Sequence, residues 1–250
     1  MLVRNRTMGV GMERGCISAT DHAFADGPVF PLVADLAEAR AALEKACPDP
    51  SDQDVRVLLA ISEKFRRGAN CHPDLKIGLG ARLINGGDPG MVSIDGPTAV
   101  RGILRAEAGG TLTIGKFCYI GDGAIISART GISIGTSTLI AHGVQIFDNN
   151  SHPTQVFERE VQFRRMLGDK SVVAPMTIDA APVTIGERCW VGLNSLVLKG
   201  VTIGDDTIIA AASVVTSDLP AGVIAGGSPA RILRELTSAE RARSEHTKPA

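Results

Sequence analysis

His152 closes the run Phe147-Asp148-Asn149-Asn150-Ser151-His152-Pro153, so one imidazole follows four polar side chains and precedes a rigid proline. An unperturbed imidazole has a pKa of ~6.5, suited to taking a proton from a hydroxyl at neutral pH. The stiffened turn would hold it in place. Asp148 is a candidate for orienting the ring, and a main-chain carbonyl would serve equally well. No rival nucleophile is evident. The five cysteines (Cys16, Cys47, Cys71, Cys118, Cys189) lack CxxC spacing, and no Gly-x-Ser-x-Gly elbow occurs. Their odd number and scatter suit reduced thiols in the cytoplasm.

What positions His152 is a ladder of aliphatic residues. Steps of six run Ile114, Ile120, Ile126, then after a two-residue slip Ile134, Ile140, Ile146, then after a long interruption Ile185, Val191, Val197, Ile203, Ile209, Val215. Four places after each rung stand Cys118, Ala124, Thr130, Thr138, Val144, Asn150, Cys189, Ser195, Val201, Thr207, Ser213 and Leu219, nearly all small or β-branched. A period of six fits neither a helix nor an alternating strand. It fits three short strands per coil, each pointing one aliphatic inward, with a small residue at each corner. Glycines beside the rungs allow tight or positive-φ backbone. The expected fold is therefore all-β, a parallel β-helix. Cys118 and Cys189 fall on inward corners, where burial raises a thiol's pKa.

The ladder breaks at the histidine, and a loop over 153–182 carries both charge signs, as a polar rim or lid would. Upstream, Asp35 to Cys47 and the stretch after Ser51 read as two short helices with Asp35 and Ser51 as caps. Residues 75–110 read as irregular first coils, and Pro229 to Leu236 as a closing helix before a solvated tail. The expected division is a partly helical extension over 1–74, the β-helix over 75–222 and a helical cap with tail over 223–250. Residues 1 to about 30 show no periodicity.

At 250 residues, 44% hydrophobic, 21% charged and with a net charge of −1, the chain has a globular composition that excludes a basic nucleic-acid binder. Seven Phe, one Trp and one Tyr are too few for base-stacking platforms. No apolar run is long enough for a membrane span, and no signal peptide is expected around Arg4, Arg6 and Arg14.

Residues 92–236 resemble the hexapeptide-repeat acyltransferases, above all the polysaccharide and lipopolysaccharide O-acetyltransferases and the maltose and galactoside acetyltransferases. The likeness lies in IFDNNSHP (146–153), APVTIGERCWVGLNSLVLKGVTIG (181–204), IIAAASVVTSDLP (208–220) and AGGSPARILREL (225–236). It implies a left-handed coil and a homotrimer with sites in clefts between subunits. It also implies metal-free transfer from acetyl-CoA to a hydroxyl of a sugar or polysaccharide precursor. His152 matches the general base and Trp190 an aromatic at the acyl site. Leu193 matches a backbone oxyanion donor, Ala211 and Thr216 the lining of the pantetheine arm, and Arg231 and Arg234 the contacts to coenzyme A phosphates. Two departures stand out. Ser217 occupies a position that is basic in many relatives, and Ile120 to Gly123 lacks the asparagines of the galactoside branch. The rivals are a streptogramin- or chloramphenicol-type acetyltransferase, a γ-class carbonic anhydrase and a non-catalytic scaffold. The carbonic anhydrase needs three histidines around zinc, and only His142 and His152 lie in the repeat region.

Overall fold

The structure is a computed structural model that describes residues 27–242; expectations for the first 26 residues and for the tail beyond 242 lie outside it. The chain coils into a three-sided parallel β-solenoid of one nine-stranded and two six-stranded sheets. Every rung of the ladder faces inward and is at most 1% exposed. Rungs stack in register: Ile120 opposite Ile140, Val191 opposite Ile209, Ile126 opposite Ile146. Burying each aliphatic side chain contributes roughly 1.5–3 kcal/mol, and the stack shares that gain among all coils.

Ten of the twelve corner residues are buried as well; the exceptions, Thr130 and Asn150, lie on the interrupted corner. Buried corner hydroxyls tie coil to coil. Thr138 Oγ1 donates to the Gly186 carbonyl at 2.8 Å and accepts from the Cys189 N–H at 3.1 Å. The glycines beside the rungs serve close approach. A Cβ on Gly192 would lie 2.6 Å from the Ile209 carbonyl oxygen.

The three outer faces differ. On the polar face, Ser93, Thr113, Ser133, Thr184 and Thr202 line up in register across successive coils. The nine-stranded long face carries Tyr119, Leu139, Trp190, Ile208 and Ile224 in one row. The third face, from which the long loop departs, carries Ile103, Ile125, Gln145, Leu196 and Val214. Two apolar faces thus flank one edge of the prism, and the third is hydroxyl-rich.

Helices α1 (Leu36–Glu44) and α2 (Asp52–Gly68) form as read, with Asp35 accepting from the Glu38 N–H and Ser51 from the Asp54 N–H. Leu58, Ile61 and Phe65 of α2 join the solenoid's core. Residues 75–110 are more regular than expected, because Leu83, Val100 and Leu104 already stand in register with later coils. The six-residue step fails there because Leu104 follows Val100 by four, across a tight corner at Gly102. A Cβ at that glycine would sit 2.5 Å from the Ala124 carbonyl oxygen.

The closing helix expected over Pro229–Leu236 is corrected. Ala230–Glu235 is a strand, antiparallel to Val223–Gly227, and only Ser238–Arg241 (α3) is helical there. Pairing with the last exposed strand satisfies a whole row of main-chain groups, which outweighs a short segment's helix propensity. Strand Phe30–Pro31 likewise runs antiparallel to Lys76–Ile77 at the other end of the long face.

Candidate active site

The interrupted corner is built around Asp148, which is fully buried. Its carboxylate accepts from the main-chain N–H groups of Arg129, Thr130 and Gly131 and from the Thr130 hydroxyl, at 2.7–3.0 Å. Those three residues span the corner where the ladder slips by two after Ile126, so Asp148 closes the widened corner. The expectation that it orients the His152 ring is corrected, because its oxygens are already committed to backbone donors.

Beyond Asp148 the loop leaves and returns at one point. Asn149 bridges Ala180, the Asn150 N–H donates to the Asp179 carbonyl, and the Ala181 N–H donates to that of Asp148. Ser151 takes a positive φ of 60°, turning the chain so that the His152 imidazole stands exposed. The loop is no plain rim. Residues Val156–Met166 form a helix, labelled αL here for the loop. Its Gln162 Oε1 lies 2.8 Å from His152 Nδ1, and its Phe163 ring packs 5.2 Å from the imidazole. The Gln162 amide N–H2 donates to the Ser151 carbonyl, which sets the oxygen toward the histidine. An amide oxygen at Nδ1 matches the Nδ1–H tautomer, in which Nε2 keeps the lone pair that a base requires. Gln162 was missed in the sequence. Its only signal was ten-residue spacing from His152 inside a charged stretch not recognised as helical.

Trp190 is half-exposed on the long face between Leu139 and Ile208. It lines a groove of about 440 Å³ with Arg188, Ile208, Leu236 and Arg241. Leu193 and Ala211 sit on the edge between the long and loop faces, one coil apart, and the Ala212 N–H donates to the Leu193 carbonyl. Among the described residues the Leu193 N–H has no acceptor. Thr216 follows strand Val214–Val215 at the far edge of the loop face. Arg231 and Arg234 lie on the closing strand. Arg234 is clasped by both oxygens of Glu240 at 2.7 and 2.8 Å. That pairing, with the Thr237 main-chain and hydroxyl donors, holds the Glu240 carboxyl down to about 2.

One chain therefore does not bring these residues together: His152, Trp190 and Leu193 belong to different edges and faces of the prism. His142 stands on the long-to-loop edge, where its Nδ1 accepts from the Asp122 N–H at 3.0 Å. It shares no corner with His152, so the two do not form a joint metal site. Burial pushes the Cys189 thiol up to about 11 and raises Cys118 as well. Neither is a thiolate at neutral pH.

A family model described as the hexapeptide repeat of succinyl-transferase matches residues 111–147 and 182–217, the two halves of the ladder. Those stretches are hexapeptide repeats. Beyond them, the chain is 32% identical over 130 residues to WcaF of Escherichia coli (strain K12), provisionally named a colanic acid biosynthesis acetyltransferase; the match covers 52% of this chain and 61% of that protein. Galactoside O-acetyltransferase of the same organism is 43% identical over 60 residues, covering 24% of this chain and 30% of its own length. The chain thus spans less than two thirds of these relatives. Among solved structures, the hexapeptide-repeat coils superpose on AntD, an N-acyltransferase from Bacillus cereus solved with dTDP and 3-hydroxybutyryl-CoA. The TM-score is 0.55 at 17% identity, over 71% of this chain and 88% of that one. That likeness speaks for the fold.

Proposed function

We propose that the protein transfers an acetyl group from acetyl-CoA to a hydroxyl of a sugar or polysaccharide precursor, by direct attack with His152 as general base. The observation that carries this reading is the exposed imidazole of His152 with Gln162 Oε1 2.8 Å from its Nδ1, a contact that supports the tautomer with Nε2 free to accept a proton. The relatives named for colanic acid biosynthesis and for galactoside O-acetylation support the chemistry and the acceptor class.

Nε2 takes the acceptor's hydroxyl proton as the oxygen attacks the thioester carbonyl. The Leu193 N–H, without an acceptor among the described residues, meets the developing oxyanion. Collapse breaks the carbon–sulfur bond, the imidazolium returns its proton to the leaving thiolate, and the ester and free coenzyme A depart. No side chain carries the acyl group in this scheme, in keeping with protonated, buried Cys118 and Cys189.

The working unit is a homotrimer. Two apolar faces beside one polar face allow the long face of one subunit to pack on the loop face of the next. Such a heterologous contact closes into a ring. It brings His152, at the end of a loop-face strand, to Trp190 on the neighbour's long face, with Arg231 toward the coenzyme A phosphates. A thiol-release assay with acetyl-CoA and a panel of sugar, nucleotide-sugar and antibiotic acceptors tests the reading. Release that depends on a saccharide hydroxyl is expected, and no acceptor-dependent release across the panel would overturn it.

A further inference from the structure

Residues 183–236 contain four cations, Arg188, Lys199, Arg231 and Arg234. Two are neutralised within the molecule. Arg188 pairs with Glu187, Asp205 and Asp206, and Arg234 with Glu240. Among the described residues Arg231 donates only to the Ala230 carbonyl. Lys199 is half-buried and, among the described residues, has neither an ion pair nor a hydrogen-bond partner. The described residues thus leave its ammonium without a counter-charge, and an anionic ligand would supply one.

Its place in the coil suggests which anion. Leu196 lies opposite Val214 and Val197 opposite Val215, and the Leu198 N–H donates to the Val215 carbonyl. Continuing that register sets Leu198 level with Thr216 and Lys199 level with Ser217, one strand spacing of ~4.8 Å away. The acid on this corner, Asp218, spends Oδ1 on the Thr202 N–H. Lysine's four-carbon stem spans one coil with ease. The cation that Ser217 lacks thus stands one coil back, beside the residue assigned to the pantetheine arm.

We infer that Lys199 binds a phosphate group of coenzyme A, together with Arg231 and in preference to the clasped Arg234. The inference rests on the co-substrate reading above. Calorimetric titration of the full chain with coenzyme A, 3′-dephospho-coenzyme A and S-acetylpantetheine tests it. Lys199→Gln should raise the Kd for coenzyme A about tenfold, the loss of one charge-assisted contact. Lys199→Arg should stay near wild type, and acetylpantetheine, which has no phosphate, should bind both variants as it binds wild type. Restored equality with the dephospho compound would assign the contact to the 3′-phosphate, and a persistent difference to the pyrophosphate; both support the inference. Unchanged coenzyme A affinity in Lys199→Gln overturns it while leaving the transferase reading intact, as does an equal loss for acetylpantetheine. Absence of coenzyme A binding by the wild type overturns both readings.

Discussion

In the proposed reaction the imidazole of His152 depends on one amide. Gln162 Oε1 at Nδ1 favours the tautomer whose proton points away from the acceptor. His152→Ala should lower kcat by roughly 10²–10⁴-fold with coenzyme A binding nearly unchanged. An isolable acetylated protein on the reaction path would overturn direct transfer. Gln162→Glu makes a sharper test. A carboxylate beside the ring favours the imidazolium and raises its pKa, so the acid limb of kcat/KM should move to higher pH. A purely structural role for Gln162 would lower activity without moving that limb. Asp148 belongs to the fold. Asp148→Asn turns an amide N–H2 toward main-chain donors and should cost about 3 kcal/mol, read as a lowered Tm. The buried thiol of Cys189 gives a pH signature. Burial holds its folded pKa at about 11, above the 9.0 of a free thiol, so between those values the unfolded chain ionises first and stability falls as pH rises. Cys189→Ser should flatten the decline of Tm over that window.

Stacked coils were legible in the sequence because a period of six leaves no other regular solution, and because inward rungs admit only aliphatic side chains. The corner pattern was equally readable, down to the buried hydroxyls of Thr138 and Ser195. Two elements were not. Ala230–Glu235 carries helix-forming residues, yet a vacant strand edge decided its state, and vacancy is a property of the assembled stack. The loop helix Val156–Met166 buries only Val161, so it lacks the apolar stripe that marks a helix in sequence. For the same reason Asp148 was read as a partner of the adjacent histidine, when its true partners lie 17–19 residues back, one coil away. Because the loop's two ends meet at Asn149 and Ala180, the coil does not depend on what lies between them. Replacing residues 152–178 by a short glycine linker should leave the far-UV β signature and cooperative melting in place while abolishing acetyl transfer. A loss of folding would mean that the loop helix is part of the core.

At the scale of the molecule, the apolar long and loop faces need cover, and the ring proposed above supplies it. Sedimentation should give about 78 kDa, three times the 26.1 kDa chain. A monomer at assay concentration would refute the shared site. Mixing tests the sharing directly. His152→Ala and Trp190→Ala chains, each inactive alone, should regain about a quarter of wild-type turnover when refolded together in equal amounts, because a quarter of the interfaces then carry both intact side chains. Recovery near zero would place both residues in one subunit's site.

Both ends of the long face finish on a reversed strand, Phe30–Pro31 at one end and Ala230–Glu235 at the other. Parallel coils are otherwise self-templating, since the last coil of one molecule offers the first coil of another a ready row of amides. A strand running the wrong way breaks that template, and with it the route from a short prism to an endless filament. On this face assembly is left the sideways direction, in which the proposed ring is finite. The two reversals thus cap the long face at both ends of the described solenoid and oppose growth into a fibre along that face.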